Sequence, residues 1–320
     1  QSIGKQPIER ENLLVFKELF GEPVKKEIEA GIITAVEEFK GKGVHPKVAV
    51  IRAGSDSGQK YYENAILKQS DAYGIEAQTI NFNDNVSQKL LEVSLEAVNG
   101  DEEVHGIIML RPFPQHIDEE ELRTMLNPAK DVDAITDISI AETFVGKDDA
   151  FMACTAEACM EIMKGHGIDP CGKNVTIVGR SLTVGKPLAI MMLNANATVT
   201  VCHSRTPHQE QVKACRNADI VVLATGRTQC YGAEFFRNGQ IILDVGTGTG
   251  KDGHMHGDLD LEDVMSCGKD GHMHGDLDLE DVMSCGEIED LTYTPVPGGV
   301  GRVTTALLLR NIIKAARREN

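Results

Sequence analysis

A glycine-spaced turn joins a β-branched run to an apolar helix within Val175–Pro187 (VTIVGRSLTVGKP). The run Val175–Val178 is typical of a central parallel strand. Gly179 then allows a tight turn, and Gly185 allows the following helix to pack closely on the sheet. Because the amino end of a helix attracts anions, this pattern favours a site for a dinucleotide pyrophosphate. An ordinary strand–helix connection is the competing interpretation, but it seldom needs both glycines.

The end of the next predicted strand distinguishes between the two nicotinamide dinucleotides. An NAD site usually places a carboxylate there to accept the ribose 2′-hydroxyl. The strand from Thr198 ends instead in His203-Ser204-Arg205, without a carboxylate. Arg205, Ser204 and Arg180 can hold a 2′-phosphate through charge-assisted hydrogen bonds. The pattern therefore predicts NADP rather than NAD, with solvated loop residues as the alternative interpretation.

Composition and charge exclude several classes of function. The formal net charge is −17 over 320 residues, which argues against binding of nucleic acid or an anionic membrane. Aromatic residues make up only 4%, with no Trp, and no apolar run is long enough to span a bilayer. The eight cysteines form no CxxC pair, and the first residues lack the apolar stretch of a secretory signal. We therefore expect a cytoplasmic protein with reduced cysteines and no resident metal.

Two copies of one 18-residue segment, KDGHMHGDLDLEDVMSCG, occupy Lys251–Gly268 and Lys269–Gly286. Natural repeats diverge and need about three copies to build a core, so an error in the sequence is favoured over a recent tandem duplication. The His-Met-His triplet of each copy is open to interpretation as a metal site. We favour a polar loop before a short acidic helix, because no cysteine pair accompanies the histidines.

Alternating strand and helix patterns surround these motifs and predict an α/β fold of two domains, each with a parallel sheet and flanking helices. Residues 1–150 are expected to form the first domain, and residues 151–302, which contain the duplication, a Rossmann-like nucleotide domain. A helix over about 303–320 is expected to pack back on the first domain. Residues 134–152 show no clear periodicity and are predicted to be a loop-rich crossing between the domains. The leader before Pro23 is predicted to have no regular structure.

Further motifs accompany the glycine turn: Lys130-Asp-Val-Asp133, Asp244-Val-Gly246, Thr294–Gly301 (TPVPGGVG) and the helical stretch from Tyr62 to Ile75. On these motifs the sequence resembles the methylenetetrahydrofolate dehydrogenase/cyclohydrolases, from about Leu19 to the end apart from one copy of the duplicated segment. The resemblance implies a homodimer whose subunits bind tetrahydrofolate derivatives in a cleft between the two domains. It also implies oxidation of 5,10-methylenetetrahydrofolate with NAD(P), often followed by hydrolysis to 10-formyltetrahydrofolate.

The resemblance also assigns roles to individual residues. Tyr62 resembles the aromatic residue that stacks on the folate aminobenzoate ring, and Asp133 the carboxylate that binds the pterin, so both are candidate catalytic and substrate-binding residues. Pro297, Gly298 and Gly299 resemble the backbone wall beside the pterin. The turn and the resemblance together place the cofactor against Gly179, Arg180, Ser181, Val184, Gly185, His203, Ser204, Arg205, Thr225 and Gly246.

Four positions depart from the family pattern. Ile66 stands where a YxxxK motif carries the catalytic lysine, and Leu110 stands at the glutamine of a QLPLP-type string. Cys154–Ala158 (CTAEA) replaces a CTPxG string, and Arg302 replaces a proline. Lys68 is close to Ile66 in sequence, but two residues turn about 200° around a helix, so it cannot take the place of the lysine without a register change.

These departures affect the two reactions differently. Hydride transfer depends mainly on holding the reacting atoms about 3–3.5 Å apart. Hydrolysis must activate water and move protons, which neither Ile66 nor Leu110 can do. The sequence therefore predicts a dehydrogenase whose cyclohydrolase activity is lost or weak. The alternatives are a fully bifunctional enzyme in which another group, such as Lys68, replaces the lysine, and a non-catalytic relative that binds folate or NADP.

Overall fold

The computed structural model describes residues 15–250, 252–266 and 288–319. It contains two parallel sheets and one short antiparallel hairpin. Among the described residues the strands are β1 (Val15–Glu18), β2 (Lys47–Ala53), β3 (Glu76–Phe82), β4 (Gly106–Leu110), β5 (Asn174–Val178), β6 (Thr198–Cys202), β7 (Ile220–Leu223), β8 (Gln240–Asp244), β9 (Gly248–Thr249), β10 (Met255–His256) and β11 (Asp290–Tyr293). The helices are α1 (Glu22–Gly41), α2 (Ser57–Tyr73), α3 (Gln88–Gly100), α4 (Glu119–Met125), α5 (Asp137–Val145), α6 (Cys154–Gly165), α7 (Gly185–Asn194), α8 (His208–Asn217), α9 (Leu261–Ser266) and α10 (Thr304–Glu319).

The first sheet has the order β3-β2-β4, with Lys47 opposite Glu76 and Val48 opposite Gly106. Helices α2 and α3 connect its strands, which is the arrangement that a parallel sheet requires. Strand β4 lies at the edge of this sheet but is buried along its whole length, because α10 and the turn Pro128–Lys130 pack against it. Its carboxyl end therefore delivers the segment after Leu110 to the edge where parallel strands commonly form sites.

The second sheet has the order β1-β11-β8-β7-β5-β6, and all its neighbouring strands are parallel. The chain order reverses at β5, because β6 lies on one side of it and β7 on the other. Ligands of open α/β sheets bind at such a reversal, beyond the carboxyl ends of the strands. The predicted two-domain α/β class with parallel sheets is confirmed.

Two local expectations were wrong. Val15–Glu18, expected to lie in an irregular leader, forms β1 and pairs with β11 in the second sheet. As an edge strand with mostly exposed side chains, it has no alternating apolar pattern by which its sequence could be recognised. Residues 134–152, expected to be loop-rich, contain α5, which Thr136 caps and Gly146 ends. Several apolar residues of α5 face outward, so its sequence lacks the usual buried stripe.

The two sheets share one apolar core. A single cluster of buried side chains extends from Val48 and Ile108 of the first sheet to Val175 and Val222 of the second. Helices α1, α6 and α10 contribute to the same cluster, and α10 lies against α1, α6 and β4. Asn311 of α10 also donates a hydrogen bond of 2.9 Å to the carbonyl oxygen of Val132. The cleft between the sheets therefore has a packed apolar floor.

The described part of the first repeat copy belongs to the second sheet's half of the molecule. Strands β9 and β10 pair antiparallel, and the His256 ring lies 2.8 Å from Asp252 Oδ2. Residues 258 and 264 are buried, and α9 follows the hairpin. The second copy, with its own His-Met-His triplet, lies outside the described residues. No helix in the described ranges combines the length and apolar character needed to cross a membrane.

Candidate active site

A cavity of about 310 Å³ lies where the carboxyl end of β4, the start of α6 and the glycine turn meet. It brings together Tyr62 and Asp133, the two residues predicted for substrate binding, with Leu182 and Thr183 of the turn. The side chains that form its wall are Tyr62, Arg111, Arg123, Asp133, Ala134, Ile135, Ile140, Ala153, Cys154, Thr155, Leu182, Thr183 and Thr304. Both halves of the molecule thus contribute to one cleft.

The turn that presents Asp133 is built around Asp131. The Asp131 carboxylate is fully buried and accepts hydrogen bonds of 2.8 and 3.0 Å from the backbone N–H groups of Thr136 and Ile135. It also accepts hydroxyl hydrogen bonds of 2.7 Å from Thr136 and Ser139. A buried carboxylate that accepts this many hydrogen bonds from one loop fixes the conformation of that loop. Asp131 is therefore structural, and it leaves Asp133 free to face the cavity.

Burial raises the pKa of Asp133 to about 6. The charge of Arg111 opposes this rise, the charge of Asp131 adds to it, and a hydrogen bond with Cys154 lowers the pKa slightly. A carboxyl group of this kind changes its charge within the range in which enzymes work. Its ability to accept hydrogen bonds from a ligand therefore depends on pH and on Arg111.

The Tyr62 phenol and the Cys154 thiol beside Asp133 remain neutral. Burial, followed by the negative charge of Asp133, raises the pKa of the Tyr62 phenol well above its usual value. The same two causes raise the pKa of the Cys154 thiol. Neither group can act as a base near neutral pH. Tyr62 therefore presents a neutral aromatic ring to the cavity.

The positions expected for the lysine and the glutamine are apolar and buried. Ile66 is 0% exposed and Leu110 is 4% exposed, and both belong to the core cluster that joins the sheets. Lys68 is exposed and is absent from the cavity wall. Gln59 of α2 is buried, and its amide group donates a 2.6 Å hydrogen bond to the Pro112 carbonyl oxygen. The two sites of the expected proton-transfer pair have thus become part of the core.

The glycine turn requires glycine at both predicted positions. A Cβ atom on Gly179, which has φ +130°, would lie 2.3 Å from the Ala224 carbonyl oxygen. A Cβ atom on Gly185 would lie 2.2 Å from the Gly179 carbonyl oxygen. The Ser181 hydroxyl accepts hydrogen bonds of 3.1 and 3.4 Å from the N–H groups of Val184 and Gly185. The Ser181 hydroxyl therefore lies at the amino end of α7, which was expected to face the pyrophosphate.

The residues predicted to hold a 2′-phosphate follow two neighbouring strands. Because Val178 of β5 pairs with Cys202 of β6, Arg180 and Arg205 leave the same edge of the sheet. Arg180, Ser204 and Arg205 are exposed, and neither arginine makes an ion pair with another described residue. The His203 ring is held locally, since its Nδ1 accepts a 3.1 Å hydrogen bond from the Arg205 N–H. This edge presents two available cations without a competing carboxylate.

Two other predicted groups lie apart from the cavity wall. Thr225 and Gly246 follow β7 and β8, and the Gly246 N–H donates a 3.2 Å hydrogen bond to the Leu223 carbonyl oxygen. Pro297, Gly298 and Gly299 are likewise absent from the wall. The Gly298 carbonyl oxygen accepts a 2.9 Å hydrogen bond from Gly21 N–H. The structure therefore places this loop against the segment that enters α1.

Reasoning from sequence missed Arg111, Cys154, Leu182 and Thr183 as cavity residues. Arg111 follows a buried strand and precedes a proline, which was the available signal, because the exit of a parallel strand commonly faces the site. A larger cavity of about 750 Å³ between α5, α6 and α7 contains none of the predicted site residues. Arg310 binds Glu157 and Glu161, two of the carboxylates of its wall, at 2.8 and 2.7 Å. The described ranges contain no group of three side chains suited to hold a metal ion.

Two family models match this chain. Residues 19–133 match the catalytic domain of the tetrahydrofolate dehydrogenase/cyclohydrolases, and residues 153–320 match the NAD(P)-binding domain of the same enzymes. The boundary between the matches falls in the stretch that contains α5. The cavity is lined by residues of both matched regions.

Individual proteins agree with the family models. The chain is 35% identical to the Bifunctional protein FolD of Clostridium kluyveri over 94% of this chain and 97% of that protein. It is 37% identical to the protein of the same name from Clostridium perfringens, over 93% and 98%. The FolD structure from Campylobacter jejuni matches with a TM-score of 0.84 at 30% identity, covering 96% of this chain and 100% of that chain. The Trypanosoma brucei methylenetetrahydrofolate dehydrogenase-cyclohydrolase, solved with NADP cofactor and inhibitor, matches with a TM-score of 0.81 at 29% identity, over 94% and 97%.

Proposed function

Because this chain belongs to the tetrahydrofolate dehydrogenase/cyclohydrolase family, we propose that it oxidises 5,10-methylenetetrahydrofolate to the methenyl compound with NADP, and that its cyclohydrolase activity is lost or weak. The proposed loss of cyclohydrolase activity rests on the burial of Ile66 and Leu110 in the core. The first part is supported by the retained glycine turn and by the cavity that contains Tyr62 and Asp133.

Oxidation of the methylene carbon requires positioning more than acid–base chemistry. When bound, NADP accepts the hydride. The chain's part is to hold the folate so that its methylene carbon faces the nicotinamide ring. The neutral Tyr62 ring offers a surface for stacking, and the Asp133 carboxylate offers two acceptors for paired N–H donors of the pterin. Leu182 and Thr183 close the cavity on the side of the nucleotide turn.

Hydrolysis of the methenyl cation requires a group that can take and give a proton near neutral pH. Ile66 and Leu110 have no such group. Tyr62 and Cys154 line the cavity, but their raised pKa values keep them protonated. Lys68, considered above as a replacement, is exposed and absent from the wall. The cavity therefore supports the oxidation better than the hydrolysis.

A fully bifunctional enzyme is the second candidate, and two observations favour it. Asp133 has a pKa raised to about 6, which suits a proton carrier, and the clostridial relatives are named bifunctional. However, an Asp133 carboxylate that accepts N–H groups of the pterin is already engaged by the substrate. A non-catalytic folate-binding relative is the third candidate, and binding of both ligands without turnover would identify it.

Paired rates on the purified protein test the proposal. We expect dehydrogenase turnover with NADP, and a cyclohydrolase rate at least about 100-fold lower, since positioned acid–base groups commonly contribute that factor or more. Absorbance of the methenyl compound follows both steps. Cyclohydrolase turnover similar to the dehydrogenase rate would show that the second candidate is correct.

The double variant Ile66→Lys/Leu110→Gln is expected to raise the cyclohydrolase rate specifically, because it restores a group that can carry protons. The matched control is Ile66→Met/Leu110→Met, which changes the same two buried positions without adding a titratable group. Melting temperatures of both variants show whether the core tolerates the changes. Equal hydrolysis by the two double variants would contradict the assigned roles of these positions.

Binding of tetrahydrofolate is expected to depend on pH through Asp133. The pKa of this group is raised to about 6, so its carboxylate predominates above pH 6 and is lost as the pH falls below it. Calorimetry under anaerobic conditions should show affinity about tenfold weaker at pH 5 than at pH 7.5. Arg111→Leu should move the midpoint upward, because the Arg111 charge lowers this pKa, whereas Arg111→Lys should retain it. An unchanged profile in Asp133→Asn would exclude Asp133 as the titrating group.

The preference for NADP is proposed to come from Arg180 and Arg205. Removing either charge-assisted contact with the 2′-phosphate should raise KM for NADP roughly tenfold in Arg180→Ala and Arg205→Ala. KM for NAD, which lacks the phosphate, should change little. Arg317→Ala on α10 removes an exposed arginine far from the turn and is the control. Equal effects on KM for NADP and for NAD would show that the two arginines do not bind the 2′-phosphate.

We also propose that the protein forms a homodimer through α5, α7 and β6. Ile138, Phe144 and Val145 of α5 are between 54% and 68% exposed, and Leu193 of α7 is 57% exposed. These helices contact one another, and α7 leads into β6, the edge strand of the second sheet, where Val201 is 40% exposed. A contiguous apolar face beside an open sheet edge is usually covered by another chain.

Phe144→Asp is expected to shift the protein toward monomers, since it places a charge in the proposed interface. Ile33→Asp on α1, where Ile33 is 43% exposed outside this face, is the matched control and should leave the assembly unchanged. Sedimentation velocity at micromolar concentrations measures both variants against the 34.8 kDa chain. Monomeric wild-type protein under these conditions would reject the interface.

A further inference from the structure

We propose that Asp258 is a positioning residue for the nucleotide cofactor. Its carboxylate holds the turn after β7 in the conformation that binds the cofactor. The inference rests on the proposed function, since it concerns how this chain binds NADP. It also assigns a role to the first copy of the duplicated segment, which the glycine turn and the folate cavity leave unexplained.

Three hydrogen-bond donors of one turn converge on one oxygen atom of Asp258. Asp258 Oδ2 accepts from the Thr225 N–H at 2.7 Å, from the Thr225 hydroxyl at 2.8 Å and from the Gly226 N–H at 3.2 Å. The Asp258 side chain is 0% exposed. Charge-assisted hydrogen bonds in a buried setting are among the stronger ones. The turn that follows β7 is therefore fixed by a carboxylate from a distant part of the sequence.

Asp244, at the end of β8, holds Asp258 in place. Asp244 Oδ1 accepts a 3.0 Å hydrogen bond from the Asp258 N–H, and Asp244 Oδ2 accepts a 2.9 Å hydrogen bond from the Leu259 N–H. The Asp258 backbone is thereby tied to β8, while its side chain is tied to the turn after β7. The two carboxylates thus connect the carboxyl ends of neighbouring strands, where a nucleotide binds in this type of sheet.

Close packing fixes this arrangement sterically as well. A Cβ atom on Gly246 would lie 2.1 Å from Asp258 Cγ, and a Cβ atom on Gly257 would lie 1.9 Å from Asp244 Oδ2. Side chains at either glycine would therefore displace a carboxylate. Thr225 and Gly246, both predicted from the sequence to bind the cofactor, contact the same buried Asp258 side chain. This shared contact is why loss of Asp258 should affect the cofactor rather than the folate.

The duplication provides an internal comparison. Asp276 occupies the position of Asp258 in the second copy, with identical residues on both sides. The structure shows Asp258 in the contacts above, and Asp276 lies outside the described residues. The proposal therefore assigns the role to Asp258 and none to Asp276, although local sequence cannot distinguish them.

Direct titration of NADP and steady-state kinetics test the role of Asp258. Asp258→Ala leaves the three donors of Thr225 and Gly226 without their acceptor, so Kd and KM for NADP should rise roughly tenfold or more. At saturating NADP, kcat should stay within about threefold, and KM for the folate substrate should not change. Asp258→Asn retains an acceptor oxygen and should restore NADP binding to near the wild-type value. Asp276→Ala is the matched control and should behave as wild type.

Asp258→Ser is the variant to use where Asp258→Ala does not fold. Its hydroxyl can accept a hydrogen bond from one of the three donors, so its Kd for NADP should lie between those of the wild type and Asp258→Ala. Wild-type Kd for NADP in Asp258→Ala or in Asp258→Ser overturns the inference, as does an equal loss in Asp276→Ala. A parallel loss of kcat and of folate affinity would show a general structural role and also overturn it. Absence of NADP binding by the wild-type protein would instead contradict the proposed function.

Discussion

Apolar packing between the two sheets, through α1, α6 and α10, determines where every functional side chain of this protein lies. One cluster of buried residues extends across both sheets, so the cleft is bounded by a common core rather than by a flexible connection. Each side of the cleft is then formed by the carboxyl ends of parallel strands. Tyr62 and Asp133 reach the cavity from one side and the glycine turn from the other because this core fixes their separation.

The same packing accounts for Ile66 and Leu110. Both are buried in the core cluster, where a polar side chain would need a hydrogen-bond partner. Ile66 and Leu110 join the core without such partners. The chain thereby gains apolar contacts where a proton carrier is expected, and the cavity keeps only Asp133 with a pKa near the working range.

Some charged side chains in and near the cleft stabilise the fold, and others remain available to bind ligands. Asp131 is fully buried and accepts hydrogen bonds from its own loop, and Asp258 is fully buried and accepts hydrogen bonds through Oδ2 from the turn after β7. Arg123 lines the cavity but is bound by Glu120 and Asp137. Arg180 and Arg205 are exposed at the edge of the second sheet, next to the glycine turn. A strongly acidic protein therefore presents its available cations where an anionic cofactor is expected to bind.

The sequence by itself determined the α/β class, most strand and helix positions and the glycine turn, because these depend on short-range spacing, whereas Tyr62 and Asp133 were predicted as site residues from the family resemblance. It missed β1 and α5, whose apolar side chains face outward in the isolated chain and so lack the pattern of a buried face. Only the tertiary structure showed that Arg111 and Cys154 reach the cavity, that the Ser181 hydroxyl accepts hydrogen bonds at the start of α7, and that the loop of Pro297 lies outside the cavity wall. The contact between Asp258 and Thr225 was also visible only in the tertiary structure, because contacts between residues 33 positions apart depend on how the sheet is assembled.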